Sequence, residues 1–141
     1  MKTVSFSALK ISIVCIVLAA CFMRCGSDDA ESISKAKKDC RDAYRYADDA
    51  YSKAYMAYNA YSLENAKMYI QQAQSASGDA QRAARDCGCD DAARDADDAY
   101  TKAGWGYSAS SLDQVKSYAW QAKSAADDAK RKARNCESED Q

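Results

Sequence analysis
The chain contains no histidine and no proline. Without histidine it lacks the commonest general base and the commonest metal ligand, and it has no glycine-rich phosphate loop and no serine or cysteine set beside a base. No catalytic residue, cofactor or metal is therefore expected, and the chain reads as a non-enzyme. Without proline, nothing interrupts a long helix. An excess of charge is missing too. Twenty basic and 21 acidic side chains leave a net charge of −1, and the two signs are interleaved, so there is no footprint for nucleic acid. The length of 141 residues leaves room for one domain.

Leucine and isoleucine are scarce beyond the N-terminal segment; alanine, at helical spacing, takes their place. Cys40, Ala43, Ala47, Ala50, Ala54, Ala57 and Tyr61 recur at alternating steps of three and four, which puts them on one face of a helix. After a break at Ser62, the series Ala66, Ile70, Ala73, Ser77, Ala80, Ala84 and Cys87 keeps the same rhythm. A chain that folds back pairs the two rows one for one: Cys40 with Cys87, Ala43 with Ala84, Ala47 with Ala80, Ala54 with Ala73.

The unit is repeated. Residues 40–87 align with residues 89–136 without a gap, and 27 of the 48 positions are identical. The second seam runs up through Cys89, Ala92, Ala96, Ala99, Ala103, Gly106 and Ser110 and down through Val115, Ala119, Ala122, Ala126, Ala129, Ala133 and Cys136. Side chains this small let helix axes approach to roughly 8 Å. The expected fold is all-α: two tandem antiparallel helical hairpins with Ala-rich seams, closed by disulfides and packed as a four-helix bundle. The first helix is expected from Ser32 or Ser34 to about Ala60, Ser62 and Ser111 are N-cap candidates, and Ser111 with Gln114 forms a capping box. Gly88 suits a tight turn with positive φ between the hairpins. The hairpins occupy residues 35–87 and 88–136, and residues 137–141 form a disordered tail.

Cys40, Cys87, Cys89 and Cys136 fall at one end of both hairpins, so every pairing of the four is sterically open. Seam geometry favours Cys40 with Cys87 and Cys89 with Cys136, and export would make disulfides the default. One such bond, closing a loop of this size, contributes ~4 kcal/mol in the chain-entropy model. A four-thiolate zinc site is the alternative, although Cys87 and Cys89 are closer in sequence than the near pair of most structural zinc sites. They also lack the two-residue spacer of a redox-active pair.

The N-terminus reads as a targeting segment. Lys2 and Lys10 precede an apolar run over residues 11–20, short for a membrane span and right for a signal-peptide core. The sequence Leu18, Ala19, Ala20, Cys21 resembles the lipobox of bacterial lipoproteins, which implies removal of residues 1–20 and a lipid on Cys21. Cys25, followed by Gly26, Ser27, Asp28 and Asp29, resembles an alternative lipoprotein start, and plain secretion after cleavage at Ala20 is the third reading. Residues 21–34 then form a lipid-anchored flexible tether, with the membrane as the first partner and the cell envelope as the location.

Beside the seams lie two further rows. Tyr44, Asp48, Tyr51, Tyr55 and Tyr58 form one; Ala93, Asp97, Tyr100, Gly104 and Tyr107 form the other, bulky where its counterpart is notched. The hairpins are expected to pack through these rows, with Tyr55 near the hollow at Gly104 and Trp105, Trp120, Met56, Met68, Tyr69 and Tyr118 at the join. Candidate binding residues are Tyr51, Tyr55, Tyr58, Tyr100, Trp105, Tyr107 and Trp120, together with Asp48 and Asp97, expected partly buried against hydroxyls. Adjacent Asp pairs point about 100° apart on a helix and do not chelate one ion; Asp and Lys or Arg four apart describe solvated faces. The leading expectation is a binding or structural role with a protein partner. A small apolar ligand held in a Tyr- and Trp-lined cleft is the alternative, and ice or surface binding by Ala-rich helices is a weaker one.

Overall fold
A computed structural model describes the backbone of residues 28–138 and the side chains of residues 40–136. Two compact units divide the chain, Met1–Ser34 and Lys35–Gln141. Of the first, only residues 28–34 are described, and the signal-peptide and lipidation residues lie outside the described residues. Among the described residues there are four helices and no strand: α1 (Asp28–Asn59), α2 (Leu63–Asp86), α3 (Asp90–Ser108) and α4 (Leu112–Ser138). None is long and apolar enough to cross a membrane. α1 begins earlier than expected, so residues 28–34 are helical rather than part of a tether.

The turns follow their local chemistry. Ser62 is extended and its hydroxyl accepts the Asn65 N–H at 3.2 Å. Ser111 does the same for Gln114 at 3.3 Å, while the Gln114 amide oxygen returns to the N–H of Ser110, one residue further back than a standard capping box. Between the hairpins, Gly88 N–H donates to Arg85 O and Cys89 N–H to Ala84 O, with Gly88 at φ 78°. That pair of bonds is a Schellman ending, which needs a left-handed residue at this point. It turns the chain within three residues and leaves Cys87 and Cys89 on adjacent helix ends.

Both cystines form as the seams predict, Cys40–Cys87 and Cys89–Cys136, with Cα separations of 5.3 and 6.1 Å. This pairing uses all four thiols and leaves none for zinc. The seam alanines are buried in every helix. In the cystine half Ala47, Ala80, Ala96 and Ala129 form a layer with one alanine from each helix. Towards the loop end the core gains Ile70 and Val115, flanked by Leu63, Tyr69, Leu112 and Tyr118. Ser77, the one buried polar residue among those described, donates its hydroxyl to Ala73 O at 2.8 Å and so carries no unmet hydrogen bond.

Two expectations fail at the loop end. Tyr61 is 98% exposed and Ser110 is exposed, so neither ends a seam. α1 and α3 stop at Asn59 and Ser108, after which the helical period no longer governs direction, and Ala60 and Ala109 turn inward instead. The tyrosine rows also do not meet. Cross-helix contacts place α1 beside α2 and α4, and α3 beside α2 and α4, so α1 and α3 are diagonal. Each row therefore packs along the second helix of the other hairpin.

Candidate binding surface
The row on α1 meets α4 in a ladder of rings and cations. Arg134 stacks on Tyr44, 4.9 Å from the ring centre, and donates to its hydroxyl at 2.7 Å. Lys130 lies 4.6 Å from the Tyr51 ring and reaches Asp48 at 3.2 Å and Asp127 at 3.3 Å. Burial pulls the Lys130 ammonium down, but hydrogen bonds to Asp48 and Asp127 outweigh it and hold the group above its ordinary value. Higher up, Lys123 sits among three rings, 4.2 Å from Trp120, 5.3 Å from Tyr51 and 5.8 Å from Tyr55. Tyr58 packs on Trp120 with centroids 5.6 Å apart. These ring faces carry negative potential, which attracts the ammonium.

The junction of α2 with α3 occupies the same register and contains little of this. Gly104 is met by Gln74, whose amide nitrogen would be 2.8 Å from a Cβ added there; Tyr55 is not its neighbour. The Tyr100 ring lies over Gly78, and the carboxylate of Asp97 accepts from Gln81 at 2.5 Å. Asp48 and Asp97 thus take cross-helix partners, a lysine and an amide, and neither is buried against tyrosine hydroxyls. Asp48 has half its side chain in solvent.

Eight of the nine candidate residues, all but the half-buried Tyr51, carry exposed rings or carboxylates near the loop end or along these junctions. Trp105 and Trp120 are half exposed, and Tyr55, Tyr58, Tyr100 and Tyr107 are exposed as well. Trp105 makes an edge contact with Tyr118 at 5.9 Å and is capped by Lys102 at 4.6 Å. Sequence reasoning missed the cations Lys123, Lys130 and Arg134. Their signal was the three-and-four spacing of Trp120, Lys123, Asp127, Lys130 and Arg134, one step round α4 from the alanine seam.

The bundle is polarised along its length. Residues 51–76 and 100–125, the loop half, hold ten aromatic residues and five lysines against Glu64 and Asp113, a net charge of +3. The cystine half, residues 40–50, 77–99 and 126–136, holds two tyrosines, all seven described arginines and twelve aspartates, for a net of −3. Here the ion pairs are mostly local, as in Arg45 with Asp42, Arg94 with Asp91 and Arg131 with Asp128. The arginines thus pair three residues back rather than four residues on. The long-range pair Lys132–Asp95, at 2.7 Å, joins α4 to α3 and holds the ammonium of Lys132 above its ordinary value through the hydrogen bond to Asp95.

At the bundle axis the described residues pack closely. The gap bordered by Ala47, Ala50, Ser77, Ala80, Ala96, Ala99, Ala126 and Ala129 has no room for a water molecule. Open grooves do occur on the outer face of each hairpin, of about 460 Å³ between α1 and α2 and about 330 Å³ between α3 and α4. Comparison with protein-family models, curated proteins and solved structures finds no match to this chain.

Proposed function
We propose that this chain is an exported, lipid-anchored protein of a bacterial cell envelope, whose helical bundle binds a protein partner or serves as a scaffold and performs no catalysis. The two cystines are consistent with export to an oxidising compartment, and the lipobox-like sequence ending at Cys21 supports the anchor. The observation that carries the binding reading is the exposed aromatic loop end on a closed core. Tyr55, Tyr58, Tyr61, Trp105, Tyr107 and Trp120, with Met56 and Met68, stand in solvent there. Isolated exposed apolar residues need no explanation, but a concentration of rings and methionines marks a contact surface.

An apolar ligand would need a sheltered void, which the alanine axis does not offer, and the ice-binding reading would need outward alanine stripes, whereas the seam alanines are buried. Photo-crosslinking in the native cell, from a probe replacing Tyr61 and from one replacing Asp90 at the cystine end, tests the binding role. A discrete adduct from position 61 and none from 90 is the expected result; no adduct from either, with the chain intact in the membrane, removes it. Intact mass of the purified protein tests the anchor: acylation at Cys21 or Cys25 is expected, and an unmodified chain cut after Ala20 would leave export without lipid.

A further inference from the structure
The two outer grooves are copies of each other. That between α1 and α2 is lined by Tyr46, Asp49, Lys53, Gln72, Ser75, Ala76 and Asp79. The repeat carries these positions onto Asp95, Asp98, Lys102, Gln121, Ser124, Ala125 and Asp128, every one of which lines the groove between α3 and α4, together with Trp120. Six of the seven aligned positions keep their residue. On the junction faces of the second helices, Gln74, Gly78 and Gln81 stand where the repeat has Lys123, Asp127 and Lys130, whereas on the first helices Asp48, Tyr51 and Tyr58 recur as Asp97, Tyr100 and Tyr107.

Folding accounts for only part of this. Ala76 and Ala125 are buried and belong to the core. Asp with Lys or Arg one turn apart supports a helix by roughly 0.2–0.5 kcal/mol, which covers Asp98 with Lys102 and Asp128 with Arg131. It does not cover Gln72 and Gln121, or Ser75 and Ser124. Serine is a weaker helix former than alanine, and both serines are exposed in mid-helix, where substitution is nearly free. An alanine-saturated helix has nonetheless kept the same exposed serine twice.

We infer that each groove is a binding site for a neutral, polyhydroxylated chain, an oligosaccharide, and that the protein is bivalent. The lining supplies hydroxyl and amide groups that both donate and accept, an ammonium that donates and carboxylates that accept, which matches the edges of a sugar ring. Both charge signs occur in each floor, which disfavours a polyanion or a polycation. Each groove also has one partly exposed aromatic side chain in its wall, Tyr46 in the first and Trp120, which also packs against Lys123 and Tyr58, in the second. An electron-rich ring face suits the polarised C–H face of a pyranose. Because the bundle is cyclic in the order α1, α2, α3, α4, the grooves face opposite ways and one molecule can join two saccharide strands. This goes beyond the proposed partner contact, since the aromatic end of the bundle takes no part except through Trp120.

Chitotetraose and cellotetraose, titrated into the full chain with both cystines intact and followed by backbone NMR shifts and calorimetry, test the inference. Binding of at least one saccharide at two sites per chain is expected, with shifts around Ser75 and Ser124. Ser75→Arg and Ser124→Arg should each reduce the stoichiometry to one and together abolish binding, with helical circular dichroism and Tm preserved. Trp120→Ala should weaken only the second groove, by ~2- to 10-fold. Absence of binding by both saccharides, or binding insensitive to the two arginine substitutions, overturns the inference. Neither result touches the crosslinking test at Tyr61.

Discussion

The two junctions between the hairpins sit at one register and solve the same packing problem in opposite ways. Where α1 meets α4, side chains are large and charged: Lys123 is held among Tyr51, Tyr55 and Trp120, and Lys130 bridges Asp48 and Asp127. Where α2 meets α3, the equivalent of Tyr55 is Gly104 and the equivalents of the two lysines are Gln74 and Gln81. The alanine seams set the separation within each hairpin. What closes the gap between hairpins is then free to vary, by filling on one side and by notching on the other. Duplication fixed the backbone, and the two copies diverged where they touch.

The largest expected effect concerns what the two halves share. Replacing both cysteines of either cystine with serine should cost about 4 kcal/mol in the chain-entropy model. Because both bonds span a sequence separation of 47, the two losses, measured by denaturant unfolding under identical conditions, should agree. A large inequality would break the equivalence of the hairpins.

Next come the junctions themselves. Lys123→Ala removes the cation from three rings and should destabilise by about 1–2 kcal/mol, whereas Gln74→Ala at the equivalent position should cost less than about 0.5 kcal/mol, as for a surface change. Equal effects would mean that the ladder is ornament on a bundle held by alanine alone. On the notched side, Gly78→Ala should stabilise by ~0.5–1 kcal/mol, since an added Cβ lies 3.5 Å from the Tyr100 ring, ordinary contact, and alanine favours the helix. A loss of stability would show that the notch needs its glycine.

The smallest effect is on pH dependence. Lys130 titrates above its free value of 10.5 when folded, so the stabilisation from its pairing is complete below 10.5 and fades as pH rises through the higher folded value. Gln81, its counterpart, does not titrate. Lys130→Gln should therefore reduce the fall in Tm on the alkaline side of 10.5, while Gln81→Ala should leave that slope unchanged.

Much of this architecture was legible beforehand. Alanines at steps of three and four, with cysteines at both ends, specify a hairpin because only one helix face can carry them, and residues 89–136 restate the pattern. Gly88 and Ser62 marked their turns through their own backbone and hydroxyl chemistry. Tyr61 was misread because periodicity has no meaning past the last helical turn. The pairing of Tyr55 with Gly104 was misread for a different reason: complementary shapes in two rows say that they could pack, but not whether the chain places those helices side by side.

The sequence by itself determined the helices, the seams, the cystines and the repeat, all of which rest on local spacing. The cage around Lys123, the segregation of aromatic and charged ends, and the matched grooves on opposite faces were decided only in the tertiary structure. Each depends on which helices become neighbours, and that order is settled by packing between segments far apart in the chain, where no local rule reaches.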